Sequence, residues 1–190
     1  MDPGDVDLLR LAGAGDAAAF ELFASRHDVA LLRFAARLCP GEASAEDAVQ
    51  EGLLAAWRGA SSFRGEASPR SWLLGIVLNS CRRETRLRTG APRRSEPLEA
   101  ADAIASSALA PDEAVMRAEL GHALDAALAE LEPADRAILL LRDVEELSGG
   151  EVARLLEVSL PAMKSRLHRA RLQLKQRLEA RLGQPVRRTR

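Results

Sequence analysis

The chain is expected to be all-α: two small helical domains joined by a flexible linker, the second ending in a helix-turn-helix. Three observations lead there. Apolar residues make up 47% of the 190 positions, but they are mostly Ala and Leu, with four Phe, two Trp and no Tyr. Strong helix formers abound, and the β-branched and aromatic residues that fill sheets are scarce. Apolar positions also recur at three- and four-residue spacing in both halves. Between Thr89 and Met116 that pattern dissolves, with Pro92, Pro97 and Pro111 among scattered Ser and Ala. The length suits two small domains or one of medium size.

In the first half, Phe20, Phe23, Leu31, Leu32, Phe34, Ala35 and Leu38 predict a helix from Asp16 to Leu38, with Asp16 as N-cap and Cys39-Pro40-Gly41 as its stop. Ser44-Ala45-Glu46-Asp47 reads as a capping box opening a second helix, whose apolar face carries Ala48, Val49, Leu53, Ala56 and Trp57. Gly59 to Gly65 reads as a loop. Ser68-Pro69 then supplies a cap and a proline at the first helical position. The helix it starts turns Trp72, Leu73, Ile76, Val77 and Ser80 inward and gathers Arg82, Arg83, Arg86 and Arg88 late. In the second half, Leu120, Leu124, Leu128 and Leu131 mark one helix, and Pro133 opens another with Ile138, Leu139 and Leu141. Ser148 caps a short helix with Val152, Leu155 and Leu156, and Glu157-Val158-Ser159 makes a tight connection. Pro161 opens a long helix with the stripe Met163, Leu167, Ala170, Leu174 and Leu178. The expected boundaries are a first domain over 1–88, an acidic flexible linker over 89–116, a second domain over 117–183 and a basic tail over 184–190. A flexible linker of that length has a root-mean-square span of roughly 30 Å.

The net charge of −1 conceals four alternating blocks. Residues 1–57 carry four Arg against ten acids, and residues 58–94 nine Arg against two. Residues 95–160 carry four Arg against fifteen acids, and residues 161–190 ten Lys and Arg against Glu179 alone. A patchy solvated surface accounts for any single block. Two basic blocks between acidic ones point to two polyanion contacts, with the acidic blocks facing something else.

From Ser148 to Lys175 the order is short helix, tight turn, capped second helix, which is the form of a helix-turn-helix. Beside the apolar stripe of that second helix lie Lys164, Ser165, Arg166, His168, Arg169, Arg171 and Lys175. A helix fits the DNA major groove, where Arg bonds bidentately to guanine and Lys or Ser holds phosphate. The alternative is an ordinary amphipathic surface helix with solvated cations. Five Lys and Arg with His168 and no acid between Pro161 and Gln176 fit it poorly, since solubility is better served by mixed signs.

Ser159 to Arg171 strongly resembles the promoter −35 recognition helix of the extracytoplasmic-function (ECF) sigma factors of bacterial RNA polymerase. Leu131 to Arg136 and Leu139 to Asp143 resemble the preceding helix of that family. Gly149-Gly150 departs from it, standing where an aromatic and an acid are usual. Ala45 to Glu51, with Leu54, Ala56 and Trp57, resembles the region-2 helix that grips core polymerase. The resemblance implies polar contacts from Asp47, Gln50 and Glu51 and apolar packing from Trp57. Gly52-Leu53 replaces the usual Thr-Phe. Phe63-Arg64-Gly65-Glu66 and Arg70-Ser71-Trp72-Leu73 resemble the loop and helix that engage the −10 element and help to pocket a flipped base. This implies −10 contacts from Phe63, Arg64, Arg70, Trp72, Asn79, Arg82, Arg83 and Arg86, although Leu78 stands where an arginine usually precedes Asn79. The resemblance covers about 7–88 and 113–182 and implies core RNA polymerase, promoter DNA and an anti-sigma factor as partners. It also implies that the linker, with Glu96, Glu99, Asp102, Asp112 and Glu113, threads into the polymerase cleft; a solvated spacer is the alternative.

Nothing catalytic competes. There is no G-x-G-x-x-G, no phosphate-binding lysine loop and no C-x-x-C. His27, His122 and His168 are scattered, and no nucleophile has an evident base. We therefore expect no enzyme activity, no cofactor and no metal. Cys39 and Cys81 read as reduced buried thiols, a redox pair or metal site being the alternative. No run of 18 apolar residues predicts a membrane span, and the acidic start MDPGDVDLLR lacks the pattern of a signal peptide, so a cytoplasmic protein is expected. The rival reading is a stand-alone helix-turn-helix regulator, which should bind a specific duplex without polymerase.

Overall fold

The computed structural model describes residues 3–39, 41–88 and 111–183, and every regular element among them is helical. The chain divides into two units, Met1–Leu98 and Glu99–Arg190. The expected linker 89–116 lies outside the described residues up to 110. Its last six positions are helical, because the first helix of the second unit begins at Pro111, ahead of the boundary read from the sequence. The tail 184–190 also lies outside the described residues.

The first unit holds α1 (Asp5–Gly13), α2 (Ala17–Leu38), α3 (Glu42–Gly59), a 3₁₀ turn (Ala60–Ser62) and α4 (Pro69–Arg88). α1 was not foreseen. It buries Leu8, Leu9 and Ala12, and Asp5 ties it to α2 through Arg26 (3.0 Å) and His27 (2.9 Å). Asp16 caps α2 as expected, its Oδ1 accepting from the Ala19 amide at 3.0 Å. Ser68 does the same for α4, accepting from Ser71 N–H at 3.1 Å. The capping box expected at Ser44 is corrected: α3 starts at Glu42, Gly41 is its N-cap at φ 101°, and Ser44 is fully buried inside the helix. Glycine reaches that left-handed backbone at little steric cost, so the helix starts three residues sooner than a Ser44 cap would allow. Phe23, Phe34, Leu31, Leu73, Leu74, Val77 and Leu78 fill the core. α3 and α4 pack closely because Gly52 has no side chain: a Cβ there would lie 2.8 Å from Val77 Cγ2.

The second unit holds α5 (Pro111–Ala129), α6 (Pro133–Leu139), a π-helical turn (Leu140–Val144), α7 (Gly149–Leu155) and α8 (Leu160–Leu182). The leucine stripe is buried only towards the end of α5: Leu128 and, just past the helix, Leu131 are in the core, Leu124 is half-buried, and Leu120 is exposed. Ser148 and Glu151 close a reciprocal capping box, with Ser148 N–H donating to Oε2 at 3.0 Å and Glu151 N–H to Oγ at 3.2 Å. Ser159 caps α8 by accepting from Ala162 N–H at 3.3 Å. Between α7 and α8 the chain turns through Glu157 at φ 55°, a left-handed backbone carried by a non-glycine residue.

Candidate nucleic-acid and partner interfaces

On α3, the residues exposed to solvent include Asp47, Gln50, Glu51, Leu54 and Arg58. At 100° per residue they share one face, opposite Ala45, Val49, Gly52 and Ala56. Leu54 is 55% exposed in the middle of this polar face. Trp57, expected to supply apolar packing to the polymerase, is half-buried against Phe20, ring centroids 5.3 Å apart, and so belongs to the α2–α3 interface. Leu54, part of the sequence motif but given no contact role there, is the apolar side chain on this face, at i+7 from Asp47 and i+4 from Gln50. Glu51 forms an ion pair with Arg83 of α4, so two residues assigned to different surfaces meet.

α4 carries Asn79, Arg82, Arg83 and Arg86 at i, i+3, i+4 and i+7, which places them on one face. Asn79, Arg83 and Arg86 are exposed and Arg82 is half-buried, its carbonyl accepting from Arg86 Nε at 3.3 Å. Phe63 and Trp72 stack edge to face at 5.4 Å, fastening the loop after the 3₁₀ turn onto the first turn of α4. Arg64 is exposed in that loop. Arg70 is also exposed, but nine residues before Asn79 it lies on the opposite side of α4, apart from the other basic residues.

α8 is sorted more sharply. Met163, Leu167 and Ala170 are buried. Gly149 of α7 packs against this helix: a Cβ there would stand 3.0 Å from Met163 Cε and 3.2 Å from Leu160 Cδ1, so these side chains occupy the space an aromatic would need. Arg166 pairs with Asp135 of α6, Nε to Oδ1 2.9 Å, as an ion pair rather than a well-aligned hydrogen bond. Arg171 grips Asp143 of the π turn with two hydrogen bonds, Nε to Oδ2 2.9 Å and Nη2 to Oδ1 2.5 Å. That hydrogen-bonded carboxylate raises the Arg171 pKa above its ordinary value. Lys175 makes an i,i+4 pair with Glu179 at 3.4 Å. Lys164, Ser165, His168 and Arg169 are exposed and have no side-chain partner among the described residues. Of the seven side chains assigned to DNA on α8, three are held by acids and four have no partner among the described residues.

The thiols of Cys39 and Cys81 meet inside the first unit. Hydrogen bonding to Cys39, then burial, pushes the Cys81 thiol well above the ordinary thiol range. No group of three or more metal-binding side chains occurs among the described residues.

Residues 23–90 match the family model for Sigma-70 region 2, and residues 121–174 that for Sigma-70, region 4. The ECF RNA polymerase sigma factor SigM of Mycobacterium tuberculosis is 35% identical over 170 residues, covering 90% of this chain and 82% of SigM. The RNA polymerase sigma factor CnrH of Cupriavidus metallidurans is 32% identical over 189 residues, covering 95% of this chain and 98% of CnrH. The structure of CnrH in complex with the cytosolic domain of CnrY superimposes with a TM-score of 0.69 at 28% identity, over 93% of this chain and 97% of CnrH. The sigma factor RpoE of Bartonella quintana, solved with the anti-sigma factor NepR, has the same fold at a TM-score of 0.65. With both sigma regions matched in order and the likeness running over nine-tenths of its length, the chain belongs to the ECF RNA polymerase sigma factors, the alternative sigma factors that direct transcription initiation.

Proposed function

We propose that this sigma factor divides its work among three faces. Asp47, Gln50 and Leu54 of α3 hold core RNA polymerase, with Glu51 at the edge of that contact. Asn79, Arg82, Arg83 and Arg86 of α4, with Arg64 and the Phe63–Trp72 pair, take the −10 element, while Arg70, on the opposite side of α4, stands outside that face. Lys164, Ser165, His168 and Arg169 of α8 read the −35 element, flanked by Arg166, Arg171 and Lys175. The observation that carries this is the open face of α8: four exposed polar side chains without partners among the described residues, opposite the buried stripe, on the second helix of a helix-turn-helix. A helix held this way presents base-reading side chains to a major groove at little cost in broken internal bonds.

No chemistry of its own is needed for this role, since polymerase makes the RNA, and capture of an unstacked base on an aromatic pair favours the opened strand. Acting on RNA polymerase places the protein in the cytoplasm. No helix among the described residues is long and apolar enough to cross a membrane. CnrH was solved with the cytosolic domain of CnrY and RpoE with the anti-sigma factor NepR, which supports an anti-sigma factor as a partner here. Arg169→Ala in the reconstituted holoenzyme is expected to weaken binding to its preferred promoter by about 1–3 kcal/mol. A wild-type −35 footprint from that variant would remove α8 from the promoter.

A further inference from the structure

We propose that Asp135 and Asp143 are positioning residues for −35 recognition, fixing the rotation of α8 about its own axis through Arg166 and Arg171. This rests on the reading of α8 given above. The buried stripe of α8 is narrow: Met163, Leu167 and Ala170 are buried, Leu174 and Leu178 further along are half-buried, and near Met163 it faces a glycine across the α7 contact. Such a surface resists separation better than it resists rolling. At 100° per residue, Arg166 lies about 70° to one side of the stripe and Arg171 about 70° to the other. Their partners stand on different elements, Asp135 on α6 and Asp143 on the π turn. Rolling α8 in either direction therefore stretches one of the two pairs. The free face of Lys164, Ser165, His168 and Arg169 is roughly opposite the stripe, midway between the two braces. Recognition tolerates only about 10–20° of misorientation, and an arginine head roughly 8 Å from the axis moves about 2 Å for a 15° roll.

All four side chains of the braces are partly exposed, with Asp135 the most covered. Ion pairs of this exposure add little to stability. What they supply is direction, most of all the two-point grip of Arg171 on Asp143. The extra residue of the π turn carries the chain between α6 and α7, and it is from this turn that Asp143 meets α8.

The test uses holoenzyme and promoter duplexes randomised over the −35 hexamer, comparing the preferred sequence with its single-base variants. Asp143→Ala and Asp135→Ala are each expected to flatten that preference about three- to tenfold. Binding to unrelated duplex, its salt dependence and the thermal midpoint of the second unit should stay near wild type. Asp143→Asn, which removes the charge but can still accept from Arg171, should keep most of the preference, which a role in charge alone would not allow. Wild-type preference in either alanine variant, or an Asp143→Asn variant as flat as Asp143→Ala, would overturn the two-sided brace. So would Arg171→Ala weakening all sequences equally with a salt slope lower by about one, the mark of a phosphate contact. Arg169→Ala in the same assay separates the levels. If it flattens the preference while the brace variants do not, only the brace fails; if it too is silent, the reading of α8 fails and takes the brace with it.

Discussion

The thiols of Cys39 and Cys81 show what a single residue's surroundings add to its sequence. Both are buried, one at the end of α2 and one within α4, and each is inert-looking alone. Together they raise the Cys81 pKa, because the thiolate would give up a hydrogen bond and sit in apolar surroundings beside a second sulfur. A raised native pKa contributes stability that is complete below the unfolded value of 9.0 and is lost as pH climbs above it, since only the unfolded chain then ionises. Residues 1–98 contain no Lys and no Tyr, so little else titrates there between pH 9 and 11. Both tryptophans, Trp57 and Trp72, lie in the same unit and report its unfolding alone. Stability by tryptophan fluorescence should be flat from pH 7 to 8 and then fall by as much as about 1.4 kcal/mol per pH unit as the unfolded Cys81 thiol ionises. Cys81→Ala should start lower and fall less steeply; an unchanged slope would contradict the assignment. At this scale the local features were legible. Asp16, Ser68, Ser148 and Ser159 cap their helices because a cap needs only neighbours within three residues. The pairs Glu51–Arg83, Arg166–Asp135 and Arg171–Asp143 were not legible, since each joins residues that only the folded chain brings together.

At the scale of elements, the glycines separate two kinds of position that look alike in the sequence. Gly52 and Gly150 both sit in helices, where Ala is favoured by about 1 kcal/mol in an interior. A Cβ at Gly150 would meet nothing within 4 Å, whereas one at Gly52 would press on Val77, including its Cα at 3.3 Å. Gly150→Ala should therefore stabilise the second unit by up to about 1 kcal/mol, less if the first turn of α7 frays, as read by circular dichroism on unfolding. Gly52→Ala should lose more from overpacking than it gains in propensity, a net loss of about 1 kcal/mol in tryptophan-detected unfolding. Equal effects at both sites would contradict the α3–α4 packing described. Helices with a sustained apolar period, α2, α4 and α8, were legible within a residue or two. α1 was missed because its apolar run, Leu8 to Leu11, is too short to show a period beside an acidic start. The π turn was missed because it inserts one residue into an otherwise regular stretch, Leu139 to Val144, without any change in composition.

For the molecule as a whole, the alternating charge blocks correspond to the assigned faces, but charge alone misplaces the details. The resemblance assigns to α3 an acidic polymerase contact with Trp57 as its apolar anchor. Trp57 instead packs on Phe20, and the exposed Leu54 stands among Asp47, Gln50 and Glu51. Asp47→Arg combined with Leu54→Arg should therefore abolish co-elution with core polymerase at moderate salt while leaving tryptophan-detected stability near wild type. Reversing Glu51 would be a poorer probe, because it also breaks the pair with Arg83. The central claim is that one chain joins polymerase to two promoter elements, and run-off transcription with purified core enzyme across genomic promoter fragments tests it most directly. Wild-type protein should yield discrete transcripts from a subset of fragments sharing −35 and −10 sequences. Asp47→Arg with Leu54→Arg should yield none, and Arg169→Ala fewer from the same start sites. Transcripts no different from core enzyme alone, together with specific duplex binding by the protein without polymerase, would contradict the account and favour a stand-alone regulator.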